Sequence, residues 1–320
     1  MVRLVVLLGM FAAVRLAVGS GIGTSGFLDS GGQFTTIQDP LSGATPSPYT
    51  VLTGINDAGE IVGSSRARAF VYIDGIFTTL SDPLANPATV WVPQGINDAG
   101  QIVGYSYLPS DTGGPIEGFL DTNGTFTTIA YPQGPTSIAA GINNFGQIVG
   151  YYIDQSGAIR GYSYSGGIFT TLDDPLATSA VPGPHTYAFG INDAGQIVGR
   201  YYDASGKQHG FLETNGTFTN FDDPFDPMAA PTGINNAGEI VGYEYGSSGG
   251  GGFLYSDGTF IPINDPLALP NATQATGINN MGQIVGNFEP SVIMPEPSTF
   301  ALVFLALLGM TRYPKRKQPA

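Results

Sequence analysis

A ten-residue pattern, Gly-Ile-Asn-[Asn/Asp]-x-Gly-[Gln/Glu]-Ile-Val-Gly, occurs six times in this chain. The copies begin at Gly54, Gly95, Gly141, Gly190, Gly233 and Gly277, 41 to 49 residues apart. Strict self-similarity at such a period implies a repeat architecture, in which each unit buries its apolar face only against its neighbours. A second pattern alternates with the first: Gly-Phe-Leu, then Phe-Thr-Thr-Ile/Leu, then in most copies Asp-Pro. Its six copies start at Gly26, Ala69, Gly118, Gly161, Gly210 and Gly252.

Each pattern predicts a β-hairpin. In the first, Asn56-Asp57-Ala58-Gly59 suits a tight type I turn, with Gly in the left-handed position that follows. The return strand opens on β-branched Ile61 and Val62. In the second, Asp74-Gly75, Asn123-Gly124, Asn215-Gly216 and Asp257-Gly258 are two-residue hairpin signals between strands. No stretch between the termini carries a helical period. Asn56 and its equivalents are expected to satisfy turn amides. The Asp-Pro pairs are expected to end the fourth strand, because Pro cannot continue a ladder.

Four short strands per repeat is the plan of a propeller blade. The expected fold is therefore all-β, a six-bladed β-propeller over residues 20–290. The chain opens on the second pattern and closes on the first. Residues 26–40 and 277–288 would thus complete each other as one blade, a two-plus-two closure that leaves no open sheet edge. The alternative is an open β-solenoid with the half-repeats as caps. The repeated Ile, the Ile-Val pair and the Phe of the third and fourth strands are expected to bury between units. The segments after Asp-Pro, such as 84–93 and 176–186, vary and are expected to be loops that carry binding.

Charge narrows the partners. Residues 20–290 hold five basic residues against 24 acidic ones, a net −19, and six of the eleven basic residues lie at the ends of the chain. Such a body repels a phosphate backbone, so nucleic acid is not an expected partner. There is no Cys, which excludes disulfides and thiolate metal sites.

The two ends are unlike the repeats. Residues 1–19 combine Arg3, an apolar run over 4–13 and small residues at Ala17-Val18-Gly19, the layout of a cleaved signal peptide. Residues 291–320 carry Pro295-Glu296-Pro297, an apolar run from Phe300 to Met310, and then Arg312, Lys315, Arg316 and Lys317. Basic residues after an apolar segment hold that end on the cytoplasmic side. This order resembles the PEP-CTERM sorting signal of Gram-negative bacteria. The resemblance implies a transmembrane segment with Pro295, Glu296 and Pro297 as the sorting motif and the basic cluster as the membrane stop. It also implies processing by an exosortase, a membrane-embedded cysteine protease-transpeptidase. The strictly apolar run is short and reaches a spanning length only with residues 298–313 included.

The repeats themselves resemble the extracellular HAF-repeat family, named for a His-Ala-Phe stretch that appears here as Arg68-Ala69-Phe70 and His209-Gly210-Phe211. The resemblance covers residues 24–288 and implies an exported, propeller-like protein with no common activity.

Catalytic groups are few. His185, in an expected loop, and His209, at an expected exposed strand end, are the only histidines. No nucleophile elbow, phosphate loop or His-x-x-x-His zinc spacing occurs. Asp121-Thr122-Asn123-Gly124 echoes part of a calcium loop without its later acidic ligand, so calcium stays only a secondary expectation and no other cofactor is implied. Residues outside the repeat pattern suit contact better: Trp91, in the expected loop before Gly95, with Tyr131, Tyr187 and Tyr243, could form an aromatic platform for a sugar. The expected function is a non-enzymatic surface or matrix protein that binds exopolysaccharide or a surface protein through its loop face. The alternative is a polysaccharide-active enzyme with carboxylates in the propeller funnel, for which Glu117 and Glu244 are candidates.

Overall fold

The computed structural model describes residues 23–42, 49–66, 68–109, 114–178, 185–222, 228–244 and 251–291. The expected signal peptide, the sorting motif Pro295, Glu296 and Pro297, and the basic residues Arg312, Lys315, Arg316 and Lys317 lie outside them. The described residues form strands β1–β24 and no helix, and so contain no helix long and apolar enough to cross a membrane.

The two ends of the repeat region share one sheet. The hairpin β1 (Ser25–Ser30) and β2 (Gln33–Ile37) joins the hairpin β23 (Ala268–Ile278) and β24 (Gln283–Pro290) in the order β2-β1-β24-β23. The seam is antiparallel, from Ser25↔Phe288 to Ser30↔Gln283. A second four-stranded sheet is β3 (Val51–Ile55), β4 (Ile61–Ser65), β5 (Arg68–Ile73) and β6 (Ile76–Thr79). The strands β7 (Val90–Ile96), β8 (Ile102–Tyr107), β9 (Ile116–Thr122) and β10 (Thr125–Ile129) follow the same meander. So do β11 (Thr136–Ile142), β12 (Ile148–Ile153), β13 (Ile159–Ser165) and β14 (Ile168–Leu172). So again do β15 (His185–Ile191), β16 (Ile197–Tyr202), β17 (Gln208–Thr214) and β18 (Thr217–Asn220). Single parallel pairs, Thr136↔Ile116 and Ile159↔His185, tie these three meanders into one 12-stranded sheet. The last four-stranded sheet is β19 (Ala230–Ile234), β20 (Ile240–Tyr243), β21 (Gly252–Ser256) and β22 (Thr259–Ile263). No sheet closes on itself.

Two expected loops are partly strand. Trp91 lies in β7 and His185 opens β15. Both segments extend the inner strand backwards, because Val90-Trp91-Val92 and His185-Thr186-Tyr187 find antiparallel partners in β8 and β16; β-branched and aromatic residues suit such a ladder.

The core runs between meanders. Each Val of an Ile-Val-Gly sequence is fully buried and packs into the next unit: Val62 with Ile96 and Phe119, Val103 with Ile142 and Tyr162, Val149 with Ile191 and Phe211. Val198 joins Ile234 and Phe253, Val241 joins Ile278 and Phe27, and Val285 joins Leu52 and Phe70. That last contact links the end of the repeat region to its beginning. Burying each such side chain stabilises by about 1.5–3 kcal/mol. The fourth-strand Phe departs from expectation. Phe34, Phe77, Phe126, Phe169, Phe218 and Phe260 are half-buried. They sit on outer strands and cover their third-strand partner, as in Phe70–Phe77 at 4.9 Å between ring centroids.

Candidate functional site

The inner strands β3, β7, β11, β15, β19 and β23 gather around an axis, with two different ends. Their glycines touch: a Cβ on Gly54 would lie 3.1 Å from the Gly95 Cα, and one on Gly277 would lie 3.2 Å from the Gly54 Cα. Only Gly allows this approach.

At one end stand the Asn turns. Gly59 adopts φ 78°, as the turn chemistry predicts, and donates to the Asn56 carbonyl at 3.1 Å. The Asn56 side chain caps its own turn, accepting from the Glu60 amide at 2.9 Å. Its Nδ2 also donates to the Asn97 carbonyl of the next unit at 3.1 Å. Asn97 donates to Asn143, Asn143 to Asn192, Asn192 to Asn235, Asn235 to Asn279, and Asn279 back to Asn56. A second cycle runs outside it. The Asp57 amide donates to Asp98, and the relay passes through Asn144, Asp193, Asn236 and Asn280 back to Asp57. A cavity of about 70 Å³ lies inside these rings. The Asn residues are thus turn caps, as expected from the sequence, and also links between units, which the sequence did not suggest.

At the other end lies a larger cavity of about 170 Å³. A β-bulge makes it. Each inner strand carries one extra residue before its Gly, where the register shifts. A bulge re-aims a side chain, and the bulge residues Thr53, Gln94, Ala140, Phe189, Thr232 and Thr276 all line the cavity. Thr53, Thr232 and Thr276 use their hydroxyls to bridge their own hairpin to the next unit, as in Thr53 to the Val62 and Pro93 carbonyls at 3.2 and 3.0 Å. The position after Ile-Val-Gly varies as well: Ser64, Tyr105, Tyr151, Arg200, Tyr243 and Asn287, of which all but Arg200 line the wall.

The wall is aromatic. Tyr105 and Tyr107 stack at 6.4 Å, and Tyr151 meets Phe189 edge-on at 6.1 Å. Burial raises the pKa of Tyr105, with Tyr107 and Tyr49 adding to the shift, and burial likewise raises Tyr49 and Tyr107. The three phenols therefore stay neutral donors. Burial also raises Tyr151.

Of the four aromatic residues expected to form a platform, Trp91 and Tyr243 border this cavity. The Trp91 ring also packs on Phe119 and Phe126, at 5.1 and 4.6 Å. Tyr187 stands behind the wall, 8% exposed, against Tyr151 and Phe189. Tyr131 is elsewhere, stacked on Tyr152 at 3.7 Å, because it occupies the repeat position where other units have Asp before Pro. The wall residues Tyr49, Tyr105, Tyr107 and Tyr151 went unnoticed in the sequence; for Tyr105 and Tyr151 the signal was the position after Ile-Val-Gly, where the strict repeat ends and the residue type changes from unit to unit.

Other expectations on single residues shift too. His209 is no exposed strand end: it is half-buried, between Asp222 at 2.8 Å and Asp203 at 3.2 Å, and stacked on Tyr201. Arg160 fills the equivalent place, with Asp154 at 2.9 Å and Asp173 beside it. Burial raises the Asp154 carboxyl, but hydrogen bonds from Ser156, Arg160 and the amides of Ala158 and Ser156 outweigh it and hold the group at about 2. The Asp121 carboxylate accepts from the Gly124 amide at 2.7 Å, so it serves the hairpin turn. Among the described residues no cluster of three or more His, Cys, Asp or Glu could hold a metal. Glu117 and Glu244 do not line the cavity.

The sequence matches no protein-family model and no curated protein. Solved structures do match. A protein described as a candidate TolB from Agrobacterium tumefaciens superposes with a TM-score of 0.61 over 86% of this chain and 100% of its own, at 12% identity. TolB from Acinetobacter baumannii gives a TM-score of 0.53 over 75% of this chain and 64% of its own, at 14% identity. At such identities the likeness concerns the fold alone: an all-β, TolB-like β-propeller.

Proposed function

We propose that this chain is an exported, non-enzymatic, six-bladed β-propeller whose axial cavity takes a sugar ring of an extracellular polysaccharide. The blade count rests on the six-membered cycle of Asn side chains. The two-plus-two last blade rests on the seam between β1 and β24. The binding role rests on one observation above all: the 170 Å³ cavity is walled by Tyr49, Trp91, Tyr105, Tyr107, Tyr151 and Tyr243 and has, among the described residues, no carboxylate in its lining. Tyr and Trp offer flat apolar faces with polar edges, which suits a pyranose, whereas glycoside hydrolysis uses a pair of carboxylates.

The address follows the sequence resemblances. The chain is an HAF-repeat protein of a Gram-negative bacterium, led out by residues 1–19. Its PEP-CTERM tail holds it in the membrane until an exosortase acts on it, and it then works at the cell surface or outside the cell.

The test is an array of bacterial polysaccharides probed with the full chain and with Tyr107→Ala. Binding to at least one polysaccharide, lost in the variant while its unfolding transition is retained, is the expected result. A chain that binds no glycan, or that binds a surface protein and no glycan, contradicts the proposal.

A further inference from the structure

We infer that the sugar this cavity takes is anionic, a uronic acid or another carboxylated residue, with Arg66 as its counter-charge; the inference rests on the glycan reading above.

The charge pattern points this way. The body of the protein is at −19, yet among the described residues the only charged one in the cavity lining is Arg66, with no Asp or Glu. Asp57, Asp98 and Asp193 stand at the opposite end of the axis, while Asp39, Asp174 and Asp265 are built into the turns after the fourth strands. Asp39, which accepts from Ser65 next to Arg66, is paired with Arg68 at 2.9 Å, and these other acids line no part of the cavity. A cleft of one sign in a molecule of the other focuses the field on its ligand.

A second guanidinium strengthens that field. Arg200 is 3% exposed and lies behind the wall, 4.8 Å from the Tyr187 ring and 5.3 Å from the ring of Phe189, which lines the cavity. It is the only charged residue among the six that follow Ile-Val-Gly. Burying a cation is costly; two aromatic faces and the Gln208 Oε1 at 3.3 Å are among the partners that offset that cost. Its charge acts on the Tyr151 hydroxyl, another wall group, opposing the upward push of burial.

The hydrogen-bonding inventory agrees. Arg66, the neutral phenols of Tyr49, Tyr105 and Tyr107 and the Gln94 amide all supply donors. An ionised carboxylate only accepts, and a guanidinium matches its two oxygens. Arg66 is positioned for this: its backbone turns at φ 53° just after β4, and its Nε donates to the Ser42 carbonyl.

The experiment measures binding of the full chain to trisaccharides of galacturonate, glucuronate and mannuronate, each beside its uncharged hexose counterpart, by titration calorimetry. At least one uronate should bind at least tenfold tighter than its neutral counterpart. Arg66→Gln should reduce that preference to within about twofold while the chain keeps a cooperative unfolding transition, and Arg66→Lys should keep part of it. Raising the salt should weaken the uronate affinity of the wild-type chain, since partly exposed charges are screened. Equal or stronger binding of the neutral sugars overturns this inference and leaves the glycan reading standing. A preference untouched by Arg66→Gln and by salt also overturns it. Binding to none of the six overturns the inference, and a blank polysaccharide array would overturn the glycan reading with it.

Discussion

The two ends of the axis are formed by the same six inner strands, yet one end repeats and the other does not. At the Asn end, six units place the same side chain on the same carbonyl of the next unit. At the cavity end, the six bulge residues are of four kinds and the six residues after Ile-Val-Gly are of four kinds. Identity at one end follows from geometry, because a closed cycle needs a donor and an acceptor from every unit. Divergence at the other end leaves room for a specific ligand. Repetition therefore marks scaffold here, and the departures from it mark the candidate site.

That contrast can be broken by substitution. The largest effect is expected at the glycines between the two ends. In Gly141→Ala the new Cβ would sit 2.5 Å from the Phe189 carbonyl oxygen, against backbone that cannot yield easily. We expect a loss of about 3 kcal/mol or more by denaturant unfolding; a change below about 1 kcal/mol would mean that the inner strands are not so closely set.

Next comes Asn279→Ala. It removes the turn cap and the link back to the Asn56 carbonyl. Leaving those buried groups unpaired should cost about 1–3 kcal/mol, with Asn143→Ala costing a similar amount. At the cavity end, Gln94→Ala should change unfolding by no more than about 0.5 kcal/mol, because among the described residues the Gln94 amide bonds its neighbouring Pro93 carbonyl and nothing farther away, while weakening glycan binding. Equal stability losses at both ends would erase the distinction between scaffold and site.

The smallest effect concerns pH. The Asp154 carboxyl is held at about 2, below its ordinary 3.8. Between those values the unfolded chain binds more protons, so the stabilisation is fully present above about pH 4 and is lost as pH falls through 2. Being a surface pair with Arg160, it should be worth under about 1 kcal/mol. Asp154→Asn should therefore lower the melting temperature slightly at pH 7 and by less at pH 2.5.

Much of the scaffold was legible in the sequence, because turns and strand faces depend on local chemistry. The Asn-Asp-Ala-Gly turn, the Asp74-Gly75 hairpin with φ 47° and 88°, and the buried Phe70 follow from neighbouring residues. The cavity was less legible. Its walls depend on a bulge, an extra residue such as Gln94 that a hydrophobic pattern does not register. The cross-unit donation of Asn56 to Asn97 spans 41 positions and leaves no local trace. Trp91 and Tyr243 were found as departures from the repeat; Tyr131, chosen on the same ground, belongs to packing because its backbone sits in the turn after the fourth strand.

The proposed closure of the ring joins the two ends of the repeat region through the seam of β1 and β24. It can be tested in a chain without native cysteines. Ser30 and Gln283 face each other across the seam of β1 and β24, within the Cα separation that a disulfide tolerates. The double variant Ser30→Cys with Gln283→Cys, oxidised at low concentration, should form an intramolecular disulfide in the monomer and melt at a higher temperature than its reduced form. A pair that stays reduced, or that cross-links only between molecules, would contradict a closed ring.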